Sequence, residues 1–129
     1  MDDAERLKRG EAARRKVLGD EWVNRSAKNR NAFNAEWLDT ITRSPWGEIW
    51  TRPHLDERTR RVLVMGTLLA LGRWDEFALH VRAAVTTGGF SADDVKEIIL
   101  QQASYCGVPA GNHAFKVAEE ILRDTGKLK

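Results

Sequence analysis

The feature that most limits what this chain can become is the run Val62-Leu-Val-Met-Gly-Thr-Leu-Leu-Ala-Leu71, ten residues in which only Thr67 is polar. Asp56 stands before it as an N-cap and Gly72 after it as a stop, so the spacing predicts a helix from Glu57 to Leu71. A helix apolar on nearly every side must be surrounded by other elements. The run falls well short of the roughly 20 residues that cross a bilayer, so it belongs to a folded core and no membrane association is expected. The 129 residues fit one compact domain, 1–129. Enclosing such a helix in so small a domain is easier when a second subunit covers one face, which points to a homo-oligomer. A central helix in a monomeric bundle is the alternative on composition alone.

The rest of the chain reads as all-α, six to seven helices with no alternating strand pattern and no Asn-Gly or Asp-Gly hairpin turn. A charged first helix runs from about Asp3 to Leu18 and stops at Gly19, and a short one runs from Asp20 towards Asn29. Ala32 to Thr42 forms another, with Phe33, Trp37 and Ile41 on one face turned to the core. Between Pro45 and Pro53 a loop or single helical turn is expected, its tryptophans forming a wall or lid. Asp75 to Thr87 carries Phe77, Val81, Ala84 and Val85 on its apolar face, together with His80. Ser91 and Asp94 form an acidic capping box for a helix whose stripe runs from Val95 to Cys106. Pro109 opens the last helix, which reaches about Thr125.

Composition removes several classes of function. Lys and Arg number 21 against 19 Asp and Glu, interleaved along the chain, so no basic stripe for nucleic acid is present. One cysteine, Cys106, excludes an intrachain disulfide, a CxxC pair and a zinc site of several thiolates. The three histidines, at 54, 80 and 113, make no metal-binding motif, so no metal cofactor is expected. The start, Met-Asp-Asp-Ala-Glu-Arg, lacks the layout of a signal peptide, and a cytoplasmic protein is expected.

Among residues that carry chemistry, His80 stands out because an imidazole on an apolar helix face is placed for a shifted pKa, as a general acid or base would be. A core histidine bonded to a carbonyl is the plainer reading. Glu48 lies between Trp46 and Trp50, where aromatic surroundings would raise its pKa and make it a proton donor, the alternative being a salt bridge to an arginine. Arg58, Arg60 and Arg61 sit in the first turns of a helix, where the macrodipole disfavours cations. Either a bound anion or neighbouring acids must compensate them. Arg43, Arg52 and Arg82 are further anion-binding candidates. Tyr105 and Cys106 are expected to be structural, at the end of a buried helix.

Several stretches carry a resemblance that covers almost the whole chain. They are Ile41-Thr-Arg43, Trp46-Gly-Glu-Ile-Trp-Thr-Arg-Pro53, Leu55-Asp56, Arg58-Thr-Arg60, Leu79-His-Val-Arg-Ala-Ala84 and Tyr105-Cys-Gly-Val-Pro-Ala-Gly-Asn112. Together with the Arg9-Gly10 start they closely resemble the 4-carboxymuconolactone decarboxylase family, within the wider alkylhydroperoxidase-like superfamily. Peroxidases of that superfamily carry C-x-x-C-x-x-x-H. Setting the motif histidine on His80 puts Arg73 and Glu76 at the cysteine positions and Arg61 at that of an upstream glutamate, so thiol peroxidase chemistry is disfavoured.

The resemblance implies an all-helical fold, assembly into trimers or hexamers, and cofactor-free loss of CO2 from a lactone dicarboxylate in protocatechuate catabolism. That chemistry needs a proton donor, which we assign to His80 or else Glu48, carboxylate binding, assigned to Arg43, Arg52 and Arg58, and an apolar wall, assigned to Trp46 and Trp50. A related lactone-processing enzyme and a non-catalytic helical assembly module are the competing readings.

Overall fold

The computed structural model describes residues 1–129. It has seven α-helices, one π-helical segment and no strand, as an all-α chain should. The chain packs as two compact units, Met1–Glu57 and Arg58–Lys129.

The first unit holds α1 (Asp3–Leu18), α2 (Asp20–Ala27), α3 (Ala35–Ile41) and the π-helical segment (Thr42–Ile49). Asp2 caps α1 by accepting the Glu5 N–H at 2.8 Å, and Gly19, at φ 91°, ends it in a conformation that only glycine adopts cheaply. The π segment lies against α1 at backbone distance. A Cβ at Gly10 would strike the Thr42 carbonyl, and one at Gly47 would strike the Arg6 carbonyl.

Two expectations for this unit need correction. The helix expected from Ala32 starts at Ala35, because the Asn31 side chain accepts the N–H groups of Phe33 and Asn34 at 2.9 and 3.0 Å and fixes a turn ahead of it. Phe33 is consequently 98% exposed and Trp37 64% exposed, so that face does not serve the core. The Pro45–Pro53 segment is also more helical than expected. Pro45 has no N–H, the α register breaks there, and the chain continues with wider bonds, the Trp50 N–H donating to the Pro45 carbonyl at 2.9 Å.

The second unit comprises α4 (Glu57–Leu71) from Arg58 onward, α5 (Trp74–Thr87), α6 (Ala92–Cys106) and α7 (Val108–Asp124). Met65, Leu69, Phe77, Val81, Phe90, Val95, Ile99 and Ala118 are the centre of its core. The expected capping box is present, with Ser91 Oγ accepting from the Asp94 N–H at 3.1 Å and Asp94 Oδ2 accepting from the Ser91 N–H at 2.9 Å. Pro109 lies in the first turn of α7, where its missing donor costs nothing.

Here too the sequence reading is amended. α4 buries Arg61, Met65, Gly66 and Leu69, but Val62 stands exposed, with Leu63 at 55% and Leu71 at 66%, so this chain does not enclose it. Tyr105 and Cys106 are exposed rather than at a buried helix end. The buried stripe of α6 stops at Ile99, and its last turn runs on to the Gly107 corner, past the close approach of Gly111 to Ala103. No helix is long and apolar enough to cross a membrane.

Candidate active site

In the second unit His80 projects from α5 among Phe77, Val81 and Ala84, all buried. The imidazole is largely buried, its Nδ1 has no hydrogen-bond partner, and its pKa falls to about 4, chiefly through burial and then through the charge of Arg61. It is therefore a neutral ring at pH 7. The plainer reading, a core histidine satisfied by a carbonyl, is not what Nδ1 shows.

The N-terminal arginines of α4 are compensated by protein groups. Arg58 Nη2 lies 3.1 Å from Asp94 Oδ2, with its Cζ 4.1 Å from the Phe90 ring centroid. Arg58, expected to bind a substrate carboxylate, pairs here with the carboxylate that caps α6. Arg61 is 1% exposed and donates through Nη2 to Thr87 Oγ1 at 3.0 Å, beside the C-terminal turn of α5, where a cation is favoured. Arg82 is held by Asp124 at 2.6 Å.

In the first unit Trp46 is buried and Trp50 half-buried, their rings stacked at 4.9 Å and 20°. Trp46 lies in the π segment and Trp50 is the residue that ends it, four positions on. Glu48 points elsewhere. Its carboxylate is exposed and ion-paired with Arg6 Nε at 2.6 Å, so the aromatic envelope expected around it is absent and the salt-bridge alternative holds.

Five residues of this unit were expected at one site, and the structure divides them. Arg43 and Glu48 line a shallow cleft of about 220 Å³ with Asp3, Arg6, Thr40 and Ser44, a surface with as many acids as cations. Arg43 also helps Arg30, whose two hydrogen bonds at 2.9 and 3.1 Å act first, to hold the Asp39 carboxyl below its usual range. Trp50 and Arg52 line a larger cleft of about 460 Å³ with Arg9, Lys16, Val17, Pro53, Leu55, Asp56 and Glu57. Its three cations outnumber its two acids by one and stand beside an apolar wall, which suits a carboxylate on a small ring better than the balanced cleft does. Lys16 lies 3.6 Å from Glu57 there.

The sequence reading missed Arg9 and Lys16. Their signal is a seven-residue interval on α1 with Ala12 and Ala13 between them, small residues that open a face with a cation at each end. No group of three or more His, Cys, Asp or Glu side chains is placed to hold a metal ion.

The chain is 44% identical over 126 residues to a 4-carboxymuconolactone decarboxylase of Acinetobacter baylyi, covering 98% of this chain and 93% of the relative. It is 33% identical over 115 residues to a nitrosuccinic acid decarboxylase of Metarhizium robertsii, covering 89% and 80%. A 48-residue match at 42% identity, 37% of this chain, spans all of a 4-carboxymuconolactone decarboxylase sequence from Pseudomonas putida. Residues 35–120 match the model of the carboxymuconolactone decarboxylase family, which takes in the π segment, the Trp46–Trp50 pair and the His80 helix. With two thirds of its length inside that match and nearly all of it aligned to a decarboxylase, the chain belongs to the carboxymuconolactone decarboxylase family.

Proposed function

We propose that this protein is a carboxy-lyase that converts 4-carboxymuconolactone to 3-oxoadipate enol-lactone and CO2. The observation that carries the reading is the 44% identity to a decarboxylase of that name across nearly the full length of both chains. The substrate supplies its own electron sink. As the bond from the γ-carbon to its carboxylate breaks, the electron pair moves through the ring double bond into the lactone carbonyl, giving an oxyfuran-like dienolate. A proton added at the ring α-carbon then completes the product. No cofactor is needed to accept electrons, and the protein's tasks are to bind carboxylates, stabilise the oxyanion and deliver one proton.

We assign proton delivery to His80, since Glu48 is engaged by Arg6. Carboxylate binding falls to Arg52, supported by Arg9 and Lys16, and Trp50, stacked on Trp46, supplies the apolar wall. Such a wall disfavours a localised carboxylate charge more than the dispersed charge of the transition state. Assembly into trimers or hexamers belongs to the same reading, supported by the exposed apolar face of α4. So does a cytoplasmic place in the protocatechuate branch of the β-ketoadipate pathway.

A second substrate class has its own support in the 33% identity to a nitrosuccinic acid decarboxylase. Loss of CO2 beside a nitro group likewise leaves the electron pair in an acceptor carried by the substrate. The test is turnover of freshly prepared 4-carboxymuconolactone and, separately, of nitrosuccinate, with CO2 release and product appearance followed together. Fast, cofactor-free turnover of the lactone is expected, with His80→Gln lowering kcat by about 10² or more. Folded protein that turns over nitrosuccinate alone would overturn the lactone assignment, and a near-wild-type rate in His80→Gln would remove His80 from its role.

A further inference from the structure

Arg14, on α1, is a buried guanidinium whose partners are all neutral. It is 9% exposed, its Nη2 donates to Ser26 Oγ at 3.2 Å, and its Cζ lies 5.4 Å from the centroid of the Trp22 ring. Burial lowers its pKa from the ordinary value, with the Glu11 charge acting the other way. An arginine nevertheless keeps its proton, so the charge stays in this site and gains from any anion that reaches it.

A cleft of about 420 Å³ opens onto Arg14, built within the first unit from α1, α2, α3 and the first residue of the π segment. Its two acids are already taken. Glu11 accepts from Arg15 Nε at 2.8 Å, and Asp39 accepts from Arg30 at 2.9 and 3.1 Å. Among the cations of the cleft this leaves Arg14 and the exposed Lys8 with no ion pair. Leu7, Val23, Ala27 and Leu38 add apolar surface. The cleft shares no residue with that of Arg52. Leu7, Glu11 and Arg14 recur at helical spacing on one side of α1, and Arg9, Ala13 and Lys16 lie on the other.

We propose that this cleft is a second anion site, which binds a small monocarboxylate carrying one apolar ring. The carboxylate takes the free N–H groups of Arg14, and the ring lies against Leu7, Val23 and Leu38. A cavity of about 150 Å³ is enough for a benzene-sized ring, so the space admits the ring together with its carboxylate. One buried cation selects one carboxylate. A second carboxylate on the ligand would have only exposed Lys8 to meet, with Glu11 and Asp39 opposing it. The site goes beyond the decarboxylase reading and does not depend on it.

The test is a titration of the full-length, ¹⁵N-labelled protein with benzoate, followed by amide chemical shifts. Benzamide, which lacks the charge, and succinate, which lacks the ring, serve as comparisons. Benzoate should give saturable shifts at Leu7, Val23, Ala27 and Leu38, and the two comparison compounds should bind there at least about tenfold more weakly. Arg14→Gln should weaken benzoate at these residues by about tenfold or more, the loss of a charge-assisted contact, while Arg52→Ala leaves it unchanged. Shifts confined to the Arg52 cleft, no saturable shifts at all, or full affinity in folded Arg14→Gln would overturn the proposal and leave Arg14 a packing residue between α1 and α2. Equal binding of succinate or benzamide would overturn the ligand class. Should Arg14→Gln not fold, Ala27→Phe fills the cleft from an exposed position with Arg14 in place, and should abolish the shifts at Leu7, Val23 and Leu38. Undiminished benzoate binding in that variant counts against the site. No step of the titration requires turnover, so it succeeds or fails separately from the assigned reaction.

Discussion

Arg58 Nη2 and Asp94 Oδ2 meet at 3.1 Å, joining a cation in the first turn of α4 to the carboxylate that caps α6. Each charge lies where a helix end gives it meaning: Asp94 is favoured at its N-terminus and Arg58 is not. The pairing offsets the unfavourable member with the favourable one. The Asp94 carboxyl is held below its usual range, first by the Ser91 N–H and then by Arg58. A depressed carboxyl contributes stability above the unfolded value of about 3.8 and loses it as pH falls through the folded one. Replacing Asp94 with Asn should therefore cost up to about 1 kcal/mol at pH 7, with the difference from wild type closing in urea melts as pH falls below the unfolded value of about 3.8.

Gly10 reports on the joint between α1 and the π segment. An added methyl there meets the Thr42 carbonyl oxygen, a backbone atom that cannot swing aside as a long side chain can. Gly10→Ala should destabilise the protein by about 2 kcal/mol or more in chemical denaturation, where the same change in an open helix would stabilise it. A stabilised Gly10→Ala protein would mean that this approach is looser than the structure shows.

Legibility followed the range over which each signal acts. The Ser91–Asp94 box, the glycine stops and Pro109 are local features with one geometric outcome, and all were readable from the chain. The aromatic stripe of Phe33, Trp37 and Ile41 has helical spacing, but the Asn31 turn displaced the helix start, and periodicity says nothing of which face the core takes. Glu48 failed for another reason. Flanking tryptophans in sequence say little about enclosure when the side chain points away from them, and Arg6, 42 positions earlier, has no visible link to it in sequence. His80 was legible because an imidazole on an apolar face has few places to go. Arg61 was recognised as needing compensation, but its anchor on Thr87 depends on how α4 and α5 pack.

The histidine also leaves a mark on stability. Its folded pKa of about 4 lies below the free value of 6.5, so the unfolded chain takes the proton first. The stabilisation is complete above pH 6.5 and is lost as pH falls from there to about 4, an effect of up to about 3 kcal/mol. Urea melts at pH 7 and pH 4.5 should show this extra acid loss in wild type and not in His80→Gln. Parallel losses in the two proteins would place the titration on another group.

The two clefts of the first unit make opposite claims about their arginines. Arg52 shares its cleft with Arg9, Lys16 and Trp50 against the acids Asp56 and Glu57, whereas Arg43 shares its cleft with Arg6 against Asp3 and Glu48 and supports Asp39. Arg52→Ala should raise KM for the lactone about tenfold or more, the loss of a charge-assisted carboxylate contact, while Arg43→Ala should leave KM within about threefold. Steady-state kinetics of the two variants decide between the clefts, and the reverse ranking would move carboxylate binding to the Arg43 side.

The exposed side of α4 gives the last expectation. Leu63 and Leu71 are more than half exposed on a helix whose other face is fully used, at 55% and 66%. Leaving such side chains in water forgoes about 1.5–3 kcal/mol for each one that a partner surface would cover. Leu63 is not part of the core of its own chain, so Leu63→Arg should leave the monomer folded while placing an unpaired cation in any interface built on this face. Sedimentation velocity should show wild type as a trimer or hexamer and Leu63→Arg as a folded species of lower mass. A variant that assembles like wild type would show that this face meets solvent in the assembly, and that the oligomer is built on other surfaces.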